Sequence, residues 1–458
     1  MPLRIALVSL HTSPHDDPGS GDVGGMNVAV RHTALALAAA GHEVDVLTRR
    51  STPDAAACVR VADGIRLMRL TAGPPEPLIK GDHEEYIGDF ALAMNEYGPY
   101  DVVHSHHWFS GMAALPYARR RGLPHLQSYH SIAADPSTPL SEGERPESPG
   151  RLAGEARLAR ESDAIITVSR AERETVVGRL GADPARVHVV EPGVDARQFS
   201  PAADDCAKAG TSDALDGPPY VLVAARLEPL KGVDLAIRAI ARIPAERRPK
   251  LIVSGGPTTG YEDFPAELRA LAERDGVSEL VEFRGPQGRD ALACLIRGAR
   301  ALVVPSHSET YGLIALEGQA CGTPVIAARA GGLAEALEDG RSGILVDSRD
   351  PDEWAVAIER AMAGGDEVAG IVASGLAHAR AATWECAGAR TLEVYREVLL
   401  AKAASISATA GPADRRGEAA VRAPLATAAI DVLAIARALG AEDGDDDAAD
   451  AEAAGGAR

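Results

Sequence analysis

The feature that most constrains this chain is a repeated alternation of short β-branched runs with longer amphipathic segments. Arg4–Leu10 is strand-like, Asn27–Ala40 has helical periodicity, and Glu43–Thr48 is strand-like again. The alternation continues to about residue 197, with Val59–Leu70 inserted as a hairpin. Such βαβ repetition predicts a largely parallel sheet covered by helices on both faces.

A second βαβ series follows the first. Residues 198–219 are rich in Pro, Ala, Asp, Gly and Ser and lack periodicity, so we interpret them as a linker. The sequence therefore predicts an α/β protein of two Rossmann-like, doubly wound domains, residues 1–197 and 198–380 with the linker included in the second. We expect residues 381–402 to form a helix packing back toward the first domain, and the acidic Ala-, Gly- and Asp-rich residues 403–458 to be disordered.

Composition excludes several classes of protein. The net charge of −19 over 458 residues opposes general affinity for nucleic acid. No uncharged apolar run reaches the roughly 18 residues that a membrane span needs. The first apolar run is shorter than a signal-peptide core, and five scattered cysteines indicate neither a disulfide framework nor a zinc site. We expect a cytoplasmic protein without a metal site, and the sequence leaves a homodimer open.

A glycine-rich loop follows the first strand. Gly19-Ser-Gly21-Asp-Val-Gly24 spells the GxGxxG pattern, but it does not follow the strand directly, and the second strand ends without a ribose-binding acid. A dehydrogenase is therefore the weaker interpretation, and a flexible loop is the simplest alternative. The loop still delivers Gly25 to a helix N-terminus, where backbone N–H groups can bind a diphosphate.

Two cations mark the start of the second domain. Arg226 and Lys231 follow its first strand, at the sheet edge where open α/β folds bind ligands. We expect them to contact phosphate; the alternative is solvated surface charge, especially for Lys231.

Two glutamates mark a later loop and helix. Glu317 is the only charge in the predicted helix Gly312–Cys321, so its carboxylate should be buried with a partner such as a ribose diol. Glu309 lies in the preceding loop, where it can accept hydrogen bonds from sugar hydroxyls. A capping acid beside a structural core glutamate is the alternative.

These motifs together resemble a known family. Glu309 and Glu317, followed by Gly322-Thr-Pro324 and Gly331-Gly332, resemble the signature of family 4 of the retaining glycosyltransferases, and Arg226-Leu-Glu-Pro-Leu-Lys231-Gly232 falls where that family has it. The resemblance spans residues 3 to about 400. It implies a GT-B fold, whose two domains face a central cleft, and a hexosyltransferase that uses a UDP-sugar donor without an essential cofactor or metal.

One branch of the family matches further. The opening His11-Thr-Ser-Pro14 and the segment His104-Ser-His106 resemble the branch that transfers GlcNAc or glucose to 1D-myo-inositol 3-phosphate in mycothiol biosynthesis. His107 stands where that branch has Tyr, so a different acceptor stays open: a sugar phosphate, or a lipid or polysaccharide precursor. The resemblance implies an acceptor site formed by Asn27, Lys80, His107, Ser131 and Arg151.

The resemblance also implies roles on the donor side. The donor would contact Gly25, Arg226, Lys231, Glu309 and Glu317. The catalytic group would comprise His130, close to the reacting sugar, with Arg226, Lys231 and Glu309. Transfer would proceed on the leaving-group face without a protein nucleophile. A sugar-nucleotide epimerase or hydrolase of the same fold, and a sugar-binding protein without activity, remain alternatives.

Overall fold

The computed structural model describes residues 2–16, 19, 21–138, 146–201 and 219–409, and only the backbone of 406–409. These residues form two α/β domains, each built on its own sheet, so the prediction of two Rossmann-like domains is confirmed. Most of the expected linker and of the expected acidic tail lies outside the described residues. Within the described ranges, no helix is long and apolar enough to cross a bilayer.

The sheet of the first domain has eight strands in the order β3-β4-β2-β1-β5-β6-β7-β8. Every neighbouring pair is parallel except β3 and β4, which form the predicted hairpin. The strands are β1 (Arg4–Val8), β2 (Glu43–Arg49), β3 (Cys58–Ala62), β4 (Ile65–Leu70), β5 (Val102–His106), β6 (His125–Ser128), β7 (Ala164–Thr167) and β8 (Val187–Val189).

Helices cover both faces of this sheet. A short 3-10 helix at Lys80–Tyr86 leads directly into one of them, in a region to which the sequence pattern assigned no element. The helices are α1 (Gly25–Ala39), α2 (Ile87–Ala93), α3 (Trp108–Arg121), α4 (Arg151–Glu161) and α5 (Arg170–Gly178).

The second domain has a six-stranded, wholly parallel sheet in the order β11-β10-β9-β12-β13-β14. Its strands are β9 (Tyr220–Ala224), β10 (Lys250–Ser254), β11 (Val281–Gly285), β12 (Ala301–Val304), β13 (Val325–Ala328) and β14 (Ile344–Val346). Its helices are α6 (Val233–Arg242), α7 (Phe264–Arg274), α8 (Arg289–Gly298), α9 (Leu313–Ala320), α10 (Leu333–Ala336), α11 (Pro351–Ala363) and α12 (Gly365–Ala381).

The central strands are apolar on both faces because helices cover both. In β1, Ile5 and Leu7 pack into one core cluster while Val8 packs into the other. In β9, Val221 and Leu222 divide in the same way. The buried sheets therefore leave only the strand ends and their loops available for chemistry.

The last helix, α13 (Trp384–Thr409), lies on the first domain. Trp384 stacks on the ring of His32 at 4.8 Å between centroids, and the Tyr395 hydroxyl lies 2.7 Å from His104 Nδ1. A Cβ on Gly388 would lie 2.4 Å from the Ala36 Cβ, so glycine permits the close approach of α13 to α1. The chain thus returns to the first domain after completing the second.

The cysteines differ from expectation at one position. Cys58, Cys321 and Cys386 are free thiols. Cys294 is disulfide-bonded, a bond that the sequence analysis, which found no sign of a disulfide framework, did not anticipate. Spacing along the chain carried no signal for this bond because widely separated cysteines meet only through tertiary structure.

Candidate active site

A cavity of about 180 Å³ lies between the two domains. The first domain contributes the glycine loop and the start of α1, and the second contributes the carboxyl ends of β9 and β12 and the start of α9. The structure brings together here all of the residues predicted for the donor: Gly25, Arg226, Lys231, Glu309 and Glu317.

Lys231 and Glu309 form an ion pair at this cavity. The Lys231 ammonium donates to Glu309 Oε1 at 2.7 Å, and the Ser306 hydroxyl donates to the same oxygen at 3.0 Å. Both charged side chains are largely buried, which strengthens their attraction. The pair presents a cation and a carboxylate side by side, as recognition of a sugar attached to a diphosphate requires.

Two glycines hold the Glu309 loop in place. The Gly332 N–H donates to the Glu309 carbonyl at 2.8 Å. A Cβ on Gly332 would lie 2.1 Å from the Thr310 carbonyl oxygen, and one on Gly331 would lie 2.2 Å from that of Glu309. Only glycine permits this approach, so the predicted Gly331-Gly332 motif fixes the position of the Glu309 loop.

Arg226 lies at the mouth of the same cavity beside Glu228. Its guanidinium is 3.1 Å from Glu228 Oε1, and the Thr258 hydroxyl donates to Glu228 Oε2 at 3.1 Å. Burial opposes ionisation of Glu228, but Arg226 and Lys231 outweigh it and hold the pKa of this carboxyl below its usual range. A Cβ on Gly24 would lie 3.3 Å from Arg226 Nε, so the glycine loop packs tightly on this cation.

Glu317 is buried, as its apolar helix predicted, and only 4% of its surface is exposed. Arg289 Nη2 donates to Glu317 Oε1 at 2.7 Å, and the Arg289 guanidinium lies 4.5 Å from the centre of the Phe199 ring. The sequence reasoning missed Arg289. It follows β11 much as Arg226 follows β9, so the same argument from sheet edges could have found it.

Arg151 and Ser131 meet in the first domain. Arg151 Nη2 donates to Ser131 Oγ at 3.0 Å, Nε donates to Glu155 Oε1 at 2.8 Å, and Nη1 donates to Glu147 Oε2 at 2.7 Å. Burial raises the pKa of Glu155, although Arg151 opposes the shift. In this structure the charge of Arg151 is therefore balanced by two carboxylates.

Lys80 adds a second cation on this side. It begins the 3-10 helix and is half-buried. Burial, followed by the charges of Arg151 and Arg226, lowers its pKa to about 8. These positive charges act on one another, so this part of the first domain carries a local positive potential although the chain as a whole is acidic.

The rings of His107 and His11 pack against each other at a tilt beside these cations, with their centroids 4.5 Å apart. Within the described part of the chain, both ring nitrogens of His107, Nδ1 of His11 and Oδ1 of Asp22 are buried without a hydrogen-bond partner. Burial, then His11 and Lys80, lower the pKa of His107 well below its usual value. His107 is therefore a neutral imidazole with one N–H to donate, and buried unpaired groups of this kind are available to a ligand.

His130 occupies an unusual backbone conformation at the end of β6. His107 and His130, with φ of 70° and 58°, are the residues other than glycine with positive φ in the described ranges. His130 Nε2 lies 2.8 Å from His106 Nδ1, and burial lowers the pKa of His130 to about 4. His130 does not line the cavity of the donor residues.

No group of His, Cys, Asp and Glu suited to a metal ion occurs among the described residues.

Asn27 has an internal role. Its amide donates to Thr12 Oγ1 at 2.9 Å and to the Ser13 carbonyl at 2.8 Å, and its Oδ1 accepts from the Gly24 N–H at 3.0 Å. Both amide hydrogens are used, so Asn27 fixes the glycine loop at the start of α1.

Comparisons with known proteins agree with this geometry. Residues 24–193 match the model described as glycosyl transferase 4-like domain, and residues 210–372 match that of the glycosyl transferases group 1. The D-inositol 3-phosphate glycosyltransferase of Acidothermus cellulolyticus is 41% identical over 409 residues, which cover 87% of this chain and 91% of that relative. The chain is a glycosyltransferase of family 4.

Solved structures confirm the GT-B architecture of this glycosyltransferase. Sucrose-phosphate synthase from Thermosynechococcus elongatus superposes with a TM-score of 0.79 at 30% identity, covering 87% of this chain and all 100% of the other. Anabaena HepE, solved in complex with UDP and glucose, superposes with a TM-score of 0.68 at 20% identity, over 85% of this chain and 98% of the other. The prediction of two domains facing a cleft, and of a glycosyltransferase, is confirmed.

Proposed function

We propose that this glycosyltransferase moves GlcNAc or glucose from a UDP-sugar to 1D-myo-inositol 3-phosphate, with retention of configuration, as a cytoplasmic step of mycothiol biosynthesis. The observation that carries the proposal is the convergence of the donor residues on one cavity, with Lys80, Ser131 and Arg151 gathered on the first domain. The name of the Acidothermus relative supports inositol phosphate as acceptor, and the HepE complex supports a UDP-linked donor.

The donor would bind mainly to the second domain. Glu317, held by Arg289, has carboxylate lone pairs left to accept hydrogen bonds from ribose hydroxyls. Arg226, Lys231 and the N-terminus of α9 supply positive charge for the diphosphate. Glu309 accepts from the hydroxyls of the sugar.

Positive charge at the diphosphate is what the reaction needs most. Charge builds on the leaving UDP as its bond to the anomeric carbon breaks, and groups already in place stabilise this charge without reorganising. Arg226 and Lys231 take the part that a metal ion plays in other enzymes.

The acceptor hydroxyl would approach the anomeric carbon on the same face as the leaving group. The new C–O bond forms as the bond to UDP breaks, and a donor phosphate oxygen takes the proton of the hydroxyl. No protein nucleophile is required, so the protein contributes by orientation. His130, neutral at physiological pH because burial lowers its pKa to about 4, would hydrogen-bond to the reacting sugar.

The acceptor phosphate would bind Lys80, Ser131 and Arg151 by charge-assisted hydrogen bonds. His107 would donate its single N–H to the same group, because its pKa lies too low for a second proton. The unpaired atoms of His11 and Asp22 remain for the ring hydroxyls of the acceptor.

A second candidate is transfer to a phosphorylated sugar. The 30% identity to a sucrose-phosphate synthase over 87% of the chain favours it, as does His107 at a position where the inositol-phosphate branch has Tyr. Both candidates use the same donor cavity and the same phosphate-binding cations, and they differ only in the ring that carries the phosphate.

The test is UDP release from UDP-GlcNAc and UDP-glucose, with and without inositol 3-phosphate or fructose 6-phosphate. We expect release that depends on inositol phosphate in the wild type and that falls about 10- to 150-fold in Lys80→Ala when inositol phosphate is limiting. Lys402→Ala is the matched control: it removes a lysine of α13 that pairs with Asp163, and the variant should behave as wild type. Release that responds only to fructose 6-phosphate would favour the second candidate, and donor hydrolysis without any response would refute both.

A further inference from the structure

Two side chains of the second domain cross the cleft to the first. The Thr310 hydroxyl donates to the His130 carbonyl at 2.9 Å. Glu335, on α10, accepts from the backbone N–H groups of Arg170 at 2.8 Å and Ala171 at 2.7 Å, which open helix α5. The Glu335 side chain is 13% exposed, whereas that of Arg170 is 74% exposed, so its ion pair with the Arg170 guanidinium contributes little beside the two backbone contacts.

The contact of Glu335 pairs backbone N–H groups at the start of helix α5. The first N–H groups of a helix have no partner within it, and a carboxylate there also interacts favourably with the helix dipole. Ser169 caps one of these groups by accepting from the Glu172 N–H at 3.0 Å. Glu335 satisfies two more from the other domain, so α5 is fully capped only while the domains stay together.

The same turn of α5 holds His130. Glu172, in the first turn of α5, accepts from the Val168 N–H at 2.7 Å; burial raises the pKa of its carboxyl to about 7, and the backbone of Val168, then that of His130, opposes the rise. The His130 carbonyl is bound by Thr310 of the second domain and its ring by His106 of the first. The positive φ of His130 is therefore maintained by contacts from both domains.

The cross-cleft contacts also connect to the donor cavity. Thr310 directly follows Glu309, whose carbonyl accepts from the Gly332 N–H at 2.8 Å. Leu333, the first residue of α10, packs so closely on Gly312 that a Cβ there would lie 2.4 Å from Leu333 Cδ2. Glu309, Thr310 and Glu335 thus lie in one closely packed segment of the second domain, directly beside the donor cavity.

We propose that Thr310 and Glu335 form an interdomain latch, which holds His130 and the start of α5 against the donor cavity during turnover. They are positioning residues: neither lines the cavity, and both act through His130. The inference rests on the proposed function, because it assigns sugar transfer to this cleft. Loss of the latch should therefore lower kcat and leave donor affinity nearly unchanged.

The experiment compares Thr310→Val, Glu335→Gln and the double variant with wild type. We expect kcat at saturating substrates to fall about 10-fold in each single variant, the scale of one charge-assisted or buried hydrogen bond, and the dissociation constant of UDP to change less than about twofold. Because the two contacts act as one unit, the double variant should lose less than the product of the single losses. Thr310→Ser, which keeps the hydroxyl, should restore kcat.

Glu338→Gln is the matched control. Glu338 lies three residues beyond Glu335, and among the described residues its carboxylate pairs with Arg341 alone, on the protein surface, so its variant should keep wild-type kcat. Circular dichroism and the melting temperature report whether each variant folds. If Glu335→Gln misfolds, Thr310→Val still tests the latch, because valine is nearly isosteric with threonine.

Small-angle X-ray scattering in saturating UDP separates this inference from the proposed function. A larger radius of gyration in both latch variants than in wild type supports the latch even if inositol phosphate is not the acceptor. Variants with wild-type kcat and wild-type compactness would overturn the latch while leaving the proposed function intact. A fall in UDP affinity that matches the fall in activity would also overturn it, because Thr310 and Glu335 would then act in donor binding.

Discussion

The most specific expectation concerns Lys80 and pH. Burial beside Arg151 and Arg226 lowers its pKa from 10.5 to about 8. The ammonium that binds the acceptor phosphate is then present below about pH 8 and is lost above it. We expect kcat/KM for the acceptor to fall about tenfold per pH unit above pH 8, because this parameter reports groups of the free enzyme.

Two variants test whether Lys80 causes the predicted fall in kcat/KM above pH 8. Lys80→Arg keeps a group that stays protonated throughout this range, so the fall above pH 8 should disappear even if the absolute rate is lower. Lys80→Ala removes a charge-assisted hydrogen bond worth about 1.5–3 kcal/mol, which corresponds to a loss of about 10- to 150-fold in kcat/KM for the acceptor. KM for the donor should not change, because Lys80 does not line the donor cavity.

The assay is initial-rate UDP release at saturating UDP-GlcNAc and limiting inositol 3-phosphate, from about pH 6.5 to about pH 9.5. The acceptor phosphate should contribute its own acid limb near its second pKa of about 6. An alkaline limb that persists unchanged in Lys80→Arg would refute the assignment to Lys80. So would a Lys80→Ala variant whose defect lies in KM for the donor.

Three further predictions concern the donor side. Arg289→Met leaves the Glu317 carboxylate buried without its partner. Calorimetry should therefore show weaker UDP binding, and denaturant unfolding should show that the free energy of unfolding falls by about 3–5 kcal/mol. An unchanged free energy of unfolding would contradict the buried pair. Glu309→Gln keeps the shape but removes the charge beside Lys231, and kcat should fall about 100-fold with folding intact, whereas a wild-type rate would remove Glu309 from the chemistry. Treatment with EDTA should leave transfer unaffected, and loss of activity restored by a divalent ion would show that a metal is required.

The sequence revealed those features that depend on local pattern. The βαβ alternation predicted both domains because strand and helix periodicity depend on residues that are close together in the sequence. The hairpin predicted over Val59–Leu70 appears as β3 and β4. The residues predicted for the donor converge on one cavity because the loops beyond the carboxyl ends of strands meet at one edge of an open α/β sheet, where Arg226 and Glu309 lie. The burial of Glu317 followed from the apolar helix around it.

Features that depend on distant segments meeting were missed. Arg289 reaches Glu317 from another βα unit, and the contact of the His11 ring with the His107 ring joins two loops far apart in sequence. Asn27 was expected to face the acceptor, yet its amide hydrogens are donated to Thr12 and Ser13, which precede the glycine loop, and its Oδ1 accepts from the Gly24 N–H. The latch contact of Glu335 crosses domains and leaves no periodic signal in sequence.

Nuclear magnetic resonance of the reaction product tests the assigned reaction most directly. Purified enzyme would be incubated with UDP-GlcNAc and 1D-myo-inositol 3-phosphate, and the linkage read from the anomeric proton. We expect a new glycoside with the α configuration of the donor and one equivalent of UDP, formed at the wild-type rate by Lys402→Ala and at least about 10-fold more slowly by Lys80→Ala when inositol 3-phosphate is limiting. A β-linked product would contradict the retaining mechanism, and free GlcNAc without any inositol glycoside would contradict the assigned acceptor.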